Sequence, residues 1–92
     1  MQINILLPYK EKFDKFSPSS VAITVYNNLS KSKFKKNIKV YGRKVKNPIS
    51  SKNFVGINDP LFFKSKNKNL ALKMCQDIQN TKIKNHIIEI HN

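Results

Sequence analysis

Glycine is nearly absent from this chain, and with only Gly42 and Gly56 neither a G-x-G-x-x-G turn nor a phosphate-cradling P-loop can be written. A single cysteine, Cys75, excludes an internal disulfide framework, and no other residues form a zinc-ligand cluster, so a reducing, cytoplasmic setting is expected. No apolar run approaches the roughly 20 residues of a membrane span. The opening QINILL lacks a basic leader region and meets Pro8, Tyr9 and Lys10 without a small-residue cleavage site, so it reads as a first strand. Acidic residues are also scarce, at 5 Asp and Glu against 18 Lys and Arg. Arginine is scarcer still: Arg43 is the lone exception among lysines.

What is present is charge and a modest apolar content. A net charge of +13 ordinarily suggests nucleic acid or an anionic membrane surface. The shortage of arginine, the preferred residue for bidentate recognition of phosphates and bases, argues against a specific nucleic-acid role. Asn and Ile are abundant as well, so much of the lysine is a bias of the whole chain. With 92 residues and 39% hydrophobic content the chain forms one small domain, 1–92, or part of one.

Residues 2–7 are a continuous apolar run bounded by Pro8, the pattern of a strand buried on both faces. After the polar loop YKEKFDKFSPSS, Ser17 is placed as N-cap with Pro18 in the first helical position. VAITVY is β-branched, yet Val21, Val25 and Leu29 at i, i+4 and i+8, together with the Ser-Pro start, predict helix to about Ser30. NIKVYG, 37–42, alternates apolar with polar and predicts a strand with one face exposed, and NFVGI, 53–57, predicts another. Over 67–80, Leu70, Met74 and Ile78 form a helical stripe widened by Ala71 and Cys75, which places Cys75 in the core. Residues 86–91 return to strand. The order predicts an α/β fold: a half-Rossmann-like layer, a mostly parallel sheet of about four strands with two main helices.

Candidate chemistry gathers in two places. His86 and His91 are five apart on one strand and point to opposite faces, so they do not chelate one metal. Glu89 and His91, two apart, share a face near the strand's C-terminal end, where the carboxylate can orient the imidazole or both can contact a polar ligand; the alternative is a pair that only faces solvent. The loop after the first strand and the helix start behind it line the crevice of an open α/β sheet. There Ser17, Ser19 and Ser20 offer backbone N–H groups and hydroxyls, and Tyr9 and Lys10 can reach a sugar or a phosphate; the alternative for Ser17 is capping alone. Glu11 and Asp14, in the same lysine-rich loop, read as solvated surface.

The opening INILLPYKEKFDKFSPSSVAITVYNNL and the closing HIIEIHN resemble the start and the fourth-strand end of the N-terminal domain of family 4-type glycosyltransferases, retaining enzymes built from two Rossmann-like domains. In that family a flexible loop follows the first strand, and a later strand often reads Asp, two aliphatics, His, an aliphatic, His. Here SPSS replaces the usual glycine pair, His86 stands for the Asp, Glu89 for the first His, and His91 keeps the second. The resemblance implies transfer of a sugar from a nucleotide-sugar donor to a glycan or lipid-linked acceptor. It further implies that Tyr9, Lys10, Ser17, Ser19, Ser20, Glu89, His91 and Asn92 face the acceptor, with His91 the candidate catalytic residue. The donor would be held chiefly by a C-terminal domain, so the 92-residue piece alone is expected to be an inactive N-terminal fragment with no cofactor and no metal of its own. The basic surface could also dock on an anionic membrane.

Two other classes stay open at this level. A small nucleic-acid module would use Phe34, Tyr41, Phe54, Phe62 and Phe63 as stacking platforms beside lysine, although several of these sit where a core needs them. A free-standing half-Rossmann interaction protein would complete its sheet by dimerising.

Overall fold

The computed structural model describes residues 1–61 and 65–91. Along the chain run β1 (Gln2–Leu6), α1 (Ser20–Lys31), a 3-10 turn (Lys35–Asn37), β2 (Ile38–Arg43), β3 (Phe54–Ile57), α2 (Lys66–Asn80) and β4 (His86–Ile90). The strands form one 4-stranded, all-parallel sheet in the order β3-β2-β1-β4. This is the α/β half-Rossmann-like layer that the order of patterns predicts.

The two helices cover opposite faces. Alternation along β1 sends Ile5 and Leu7 towards α1, where they meet Ala22, Val25 and Leu29, and sends Leu6 towards α2, where it joins Tyr41, Leu70 and Met74. From β1 the chain winds outwards through β2 to β3, and α2 then carries it back across the sheet to β4 on the other side of β1. The winding direction therefore reverses between β1 and β4. In an open α/β sheet the crevice beyond the carboxyl ends of two such strands is where ligands bind.

Local details depart from the sequence pattern in three places. Ser19, not Ser17, is the N-cap of α1: its Oγ accepts from the Ala22 N–H at 3.1 Å, and Pro18 precedes the cap. Ala22 must sit in the core, and a cap three residues before it satisfies the free N–H there. The second strand has no exposed face. Val40 and Tyr41 are both fully buried, one beneath each helix, because β2 is interior to the sheet. Its polar residue Lys39 reaches over to Asp77 of α2 at 3.6 Å, and the Tyr41 hydroxyl donates to the same carboxylate. Burial, reinforced by Asp77, pushes the Tyr41 phenol up, so it stays a protonated donor.

The third correction is Cys75, which is exposed. Leu70 and Met74 are buried against the sheet with Ala71 and Ile78 packed beside them, but Cys75 follows Met74 by about 100° around the helix and falls off this narrow stripe.

β4 is the least covered strand. Among the described residues it pairs with β1 on one side only, and Ile87, Ile88 and Ile90 are all about half exposed or more, Ile90 at 61%. Its beginning is secured by a buried polar cluster on the central strand. Asn4, fully buried, accepts at Oδ1 from Gln2 Nε2 (2.7 Å), and its Nδ2 lies 3.1 Å from His86 Nδ1 and 3.2 Å from the Ile87 carbonyl. His86 Nε2 lies 2.8 Å from the Ile83 carbonyl, so the ring carries its proton on Nε2 and accepts at Nδ1 from Asn4.

Candidate functional site at the carboxyl edge of the sheet

All four strands run in the same sense, so their carboxyl ends and the segments that follow them share one edge. Beyond β1 the ladder continues for one residue through the Leu7 N–H to the Tyr41 carbonyl, and the chain then turns at Pro8, whose carbonyl accepts from Glu11 N–H at 3.0 Å. The following loop is anchored by its own apolar residue. Phe13 is buried and stacks on Phe54 of β3, with ring centroids 5.4 Å apart and an interplanar angle of 18°. Asp14 forms an antiparallel bridge with Pro48, the Lys15 N–H donates to the Asn47 carbonyl, and the Ile49 N–H donates to the Phe13 carbonyl. The loop after β1 and the connection between β2 and β3 are thus one packed unit.

Two of the depressions along this edge bear on the candidate residues. The first is the crevice at the reversal point, about 350 Å³, lined by residues that include Pro8, Lys10, Asn67, Ile90 and His91. His91 is held there at both ends: its backbone N–H donates to the Leu6 carbonyl at 3.0 Å, and its ring Nε2 donates to Glu89 Oε1 at 2.8 Å. With Nε2 so engaged, the Nδ1 of an unprotonated ring is an acceptor that has no partner among the described residues.

The second depression is a wider cleft of about 640 Å³ between the ends of β1, β2 and β3. Lys12, Arg43, Lys44 and Lys46 line it against two carboxylates, Asp14 and Asp59. None of these four cations makes an ion pair among the described residues. Tyr9 sits at its wall with Arg43 on its ring at 4.9 Å and Lys66 at 4.7 Å, while its hydroxyl donates to Asp59 Oδ2 at 3.0 Å. The Tyr9 N–H donates to Asn67 Oδ1 at 2.8 Å, and because Asn67 also lines the crevice, the two depressions meet at this pair. Gly56 brings the basic segment close: a Cβ there would lie 3.1 Å from Lys44 Cα and from the Phe54 ring.

No family model, curated protein or solved structure matches this chain.

Of the residues selected from the sequence, Tyr9, Lys10 and His91 come together along the carboxyl edge, and Glu89 joins through His91. Ser17, Ser19 and Ser20 line neither depression: Ser19 spends its hydroxyl on the cap and Ser20 opens the helix. Asn92 lies outside the described residues, as do Phe62 and Phe63. Tyr41 is core and Phe54 packs against it, which removes both as stacking platforms, while Phe34 is 42% exposed. Sequence reasoning missed Lys12, Arg43, Lys44, Lys46, Asp59 and Asn67. The one available signal was Arg43, the only arginine in a lysine-rich chain.

Proposed function

We propose that this chain is the acceptor-side Rossmann-like domain of a glycosyltransferase, holding a glycan or lipid-linked acceptor while a second domain holds the nucleotide-sugar. The observation that carries this reading is the Glu89–His91 pair at the β1–β4 reversal point, with Lys10 and Asn67 across the same crevice. Sugar acceptors present hydroxyl groups, and a neutral imidazole oriented through Nε2 accepts a hydrogen bond from such a hydroxyl at Nδ1. Lys10 and Asn67 supply donors for neighbouring oxygens. The element order and the resemblance of residues 3–29 and 86–92 to family 4-type glycosyltransferases support the same reading. So does β4, whose isoleucines have no covering helix among the described residues, as in a strand of a larger sheet.

Under this reading the excess lysine assists approach to an anionic membrane carrying a lipid-linked acceptor, by about 1 kcal/mol per well-placed residue. Among the described residues no helix is long and apolar enough to cross a membrane.

The test is a saccharide titration of the ¹⁵N-labelled chain followed by NMR. A glycan or a short-chain lipid-linked saccharide is expected to shift the signals of Lys10, Asn67 and His91. His91→Ala is expected to weaken binding roughly tenfold, the equivalent of one net hydrogen bond. Saccharides that leave these signals unmoved would overturn the proposal, as would sugar transfer by the isolated chain, because the donor would then be held here.

A further inference from the structure

The wider cleft has a chemistry that the acceptor crevice does not use. Four cations converge on it without ion-pair partners among the described residues, and one of them is the chain's single arginine. Where lysine is the default basic residue, an arginine at the end of β2 matters for its shape: the guanidinium is a planar fork that matches two oxygens of a phosphate at once, whereas lysine is a point charge. Arg43 is also pre-positioned. It lies against the Tyr9 ring, which is itself fixed by Asp59 through its hydroxyl and by Asn67 through its N–H. A fork held by a fixed aromatic ring loses less freedom on binding than a solvated side chain does.

We infer that this cleft binds a phosphate ester, with Arg43 as the bidentate contact and Lys12, Lys44 and Lys46 neutralising the remaining charge. The inference deepens the acceptor-domain reading and rests on it for the rest of the ligand: through the Tyr9–Asn67 wall, a phosphate at Arg43 adjoins a saccharide at His91, so the acceptor is a phosphorylated sugar. A polynucleotide fits less well. The Tyr9 ring already carries Arg43 and Lys66, and Tyr41 and Phe54 belong to the packed interior, so among the described residues stacked bases find no free platform in the cleft.

The experiment is an NMR and calorimetric titration of the whole chain with inorganic phosphate, a hexose 1-phosphate, a hexose phosphate ester of a short prenyl alcohol, a methyl hexoside and a short single-stranded oligonucleotide. Both sugar esters are expected to shift the Arg43 Nε–H and the Lys44 and Lys46 amides, and the methyl hexoside to leave them in place. Arg43→Lys, which keeps the charge and removes the fork, is expected to weaken both esters roughly tenfold. Arg43→Gln is expected to weaken them further, with both variants retaining wild-type amide spectra elsewhere. Tighter binding of the prenyl ester identifies a lipid-linked source, and tighter binding of the hexose phosphate a soluble one; either order supports the site.

Esters that bind no better than the methyl hexoside would overturn the inference, and so would undiminished binding in folded Arg43→Lys. Preferential binding of the oligonucleotide that survives Arg43→Lys would overturn it in favour of a polynucleotide. If saccharides move His91 while no ester reaches Arg43, this inference fails and the acceptor reading stands. If inorganic phosphate binds at Arg43 while no saccharide moves His91, the phosphate site stands and the acceptor reading fails.

Discussion

Phe13→Ala is expected to lower the unfolding free energy by about 3–5 kcal/mol, the range for deleting a buried aromatic side chain. A small domain has roughly 5–15 kcal/mol in total, so the variant would stand at the margin of stability. Phe13 belongs to a loop, where such a penalty is unusual, yet it is only 1% exposed and stacks on Phe54. Its removal opens a cavity between the loop and β3 and undoes the anchor behind the Asp14–Pro48 bridge and the Ile49-to-Phe13 hydrogen bond. Those contacts hold Lys12 and Asp14 across from Lys44 and Lys46, so phosphate-ester binding should fall together with stability. Urea unfolding checks the first part: the midpoint should drop sharply with an unchanged slope. A loss under about 1 kcal/mol would mean that the loop is not part of the cooperative core.

Asn4→Ala should cost about 2–4 kcal/mol, because it strands one buried and two partly buried polar groups rather than removing one methylene. Without the Asn4 amide, Gln2 Nε2 loses its acceptor, and the Ile87 carbonyl and His86 Nδ1 lose a donor. Two of those three partners belong to β4, the strand with the least apolar cover, so the damage should be local before it is global. Amide hydrogen exchange in β4 is expected to accelerate well beyond the change in β2. Uniform acceleration across the sheet would show that the Asn4 cluster stabilises the whole domain without serving β4 in particular.

How much of this could be read in advance depended on whether the determining contacts were local. Gln2–Leu6, Lys66–Asn80 and His86–Ile90 were legible because each carries its own period and boundary residues. Helix α1 was legible despite its β-branched run, since Val25 and Leu29 share a face, but its cap was set by where Ala22 had to be buried, which shifted it from Ser17 to Ser19. The burial of β2 was hidden by Lys39, whose polar end finds Asp77 on another element. Cys75 was misplaced because the covered stripe of α2 is narrower than its apolar pattern. In the site, Glu89 and His91 followed from strand alternation alone. The cationic cleft did not, because its residues come from three separate segments brought together by a parallel sheet and by Phe13. Asn67 gave no signal at all in a chain rich in asparagine.

The half-bare edge at β4 and the charge of +13 set up a colloidal balance. Every copy carries an adhesive strip of isoleucine beside a backbone ladder that has no partner among the described residues, and this strip has no lysine of its own, whereas Lys82 and Lys84 stand only at its approach. Dispersion is left to long-range repulsion between whole molecules. That repulsion reaches about 30 Å at 0.01 M salt and about 3 Å at 1 M, while the attraction between apolar strips does not fade with salt. Ionic strength therefore works in opposite senses at the two ends of β4, loosening an anion from the carboxyl-edge cleft and drawing neighbouring sheets together along the bare strand.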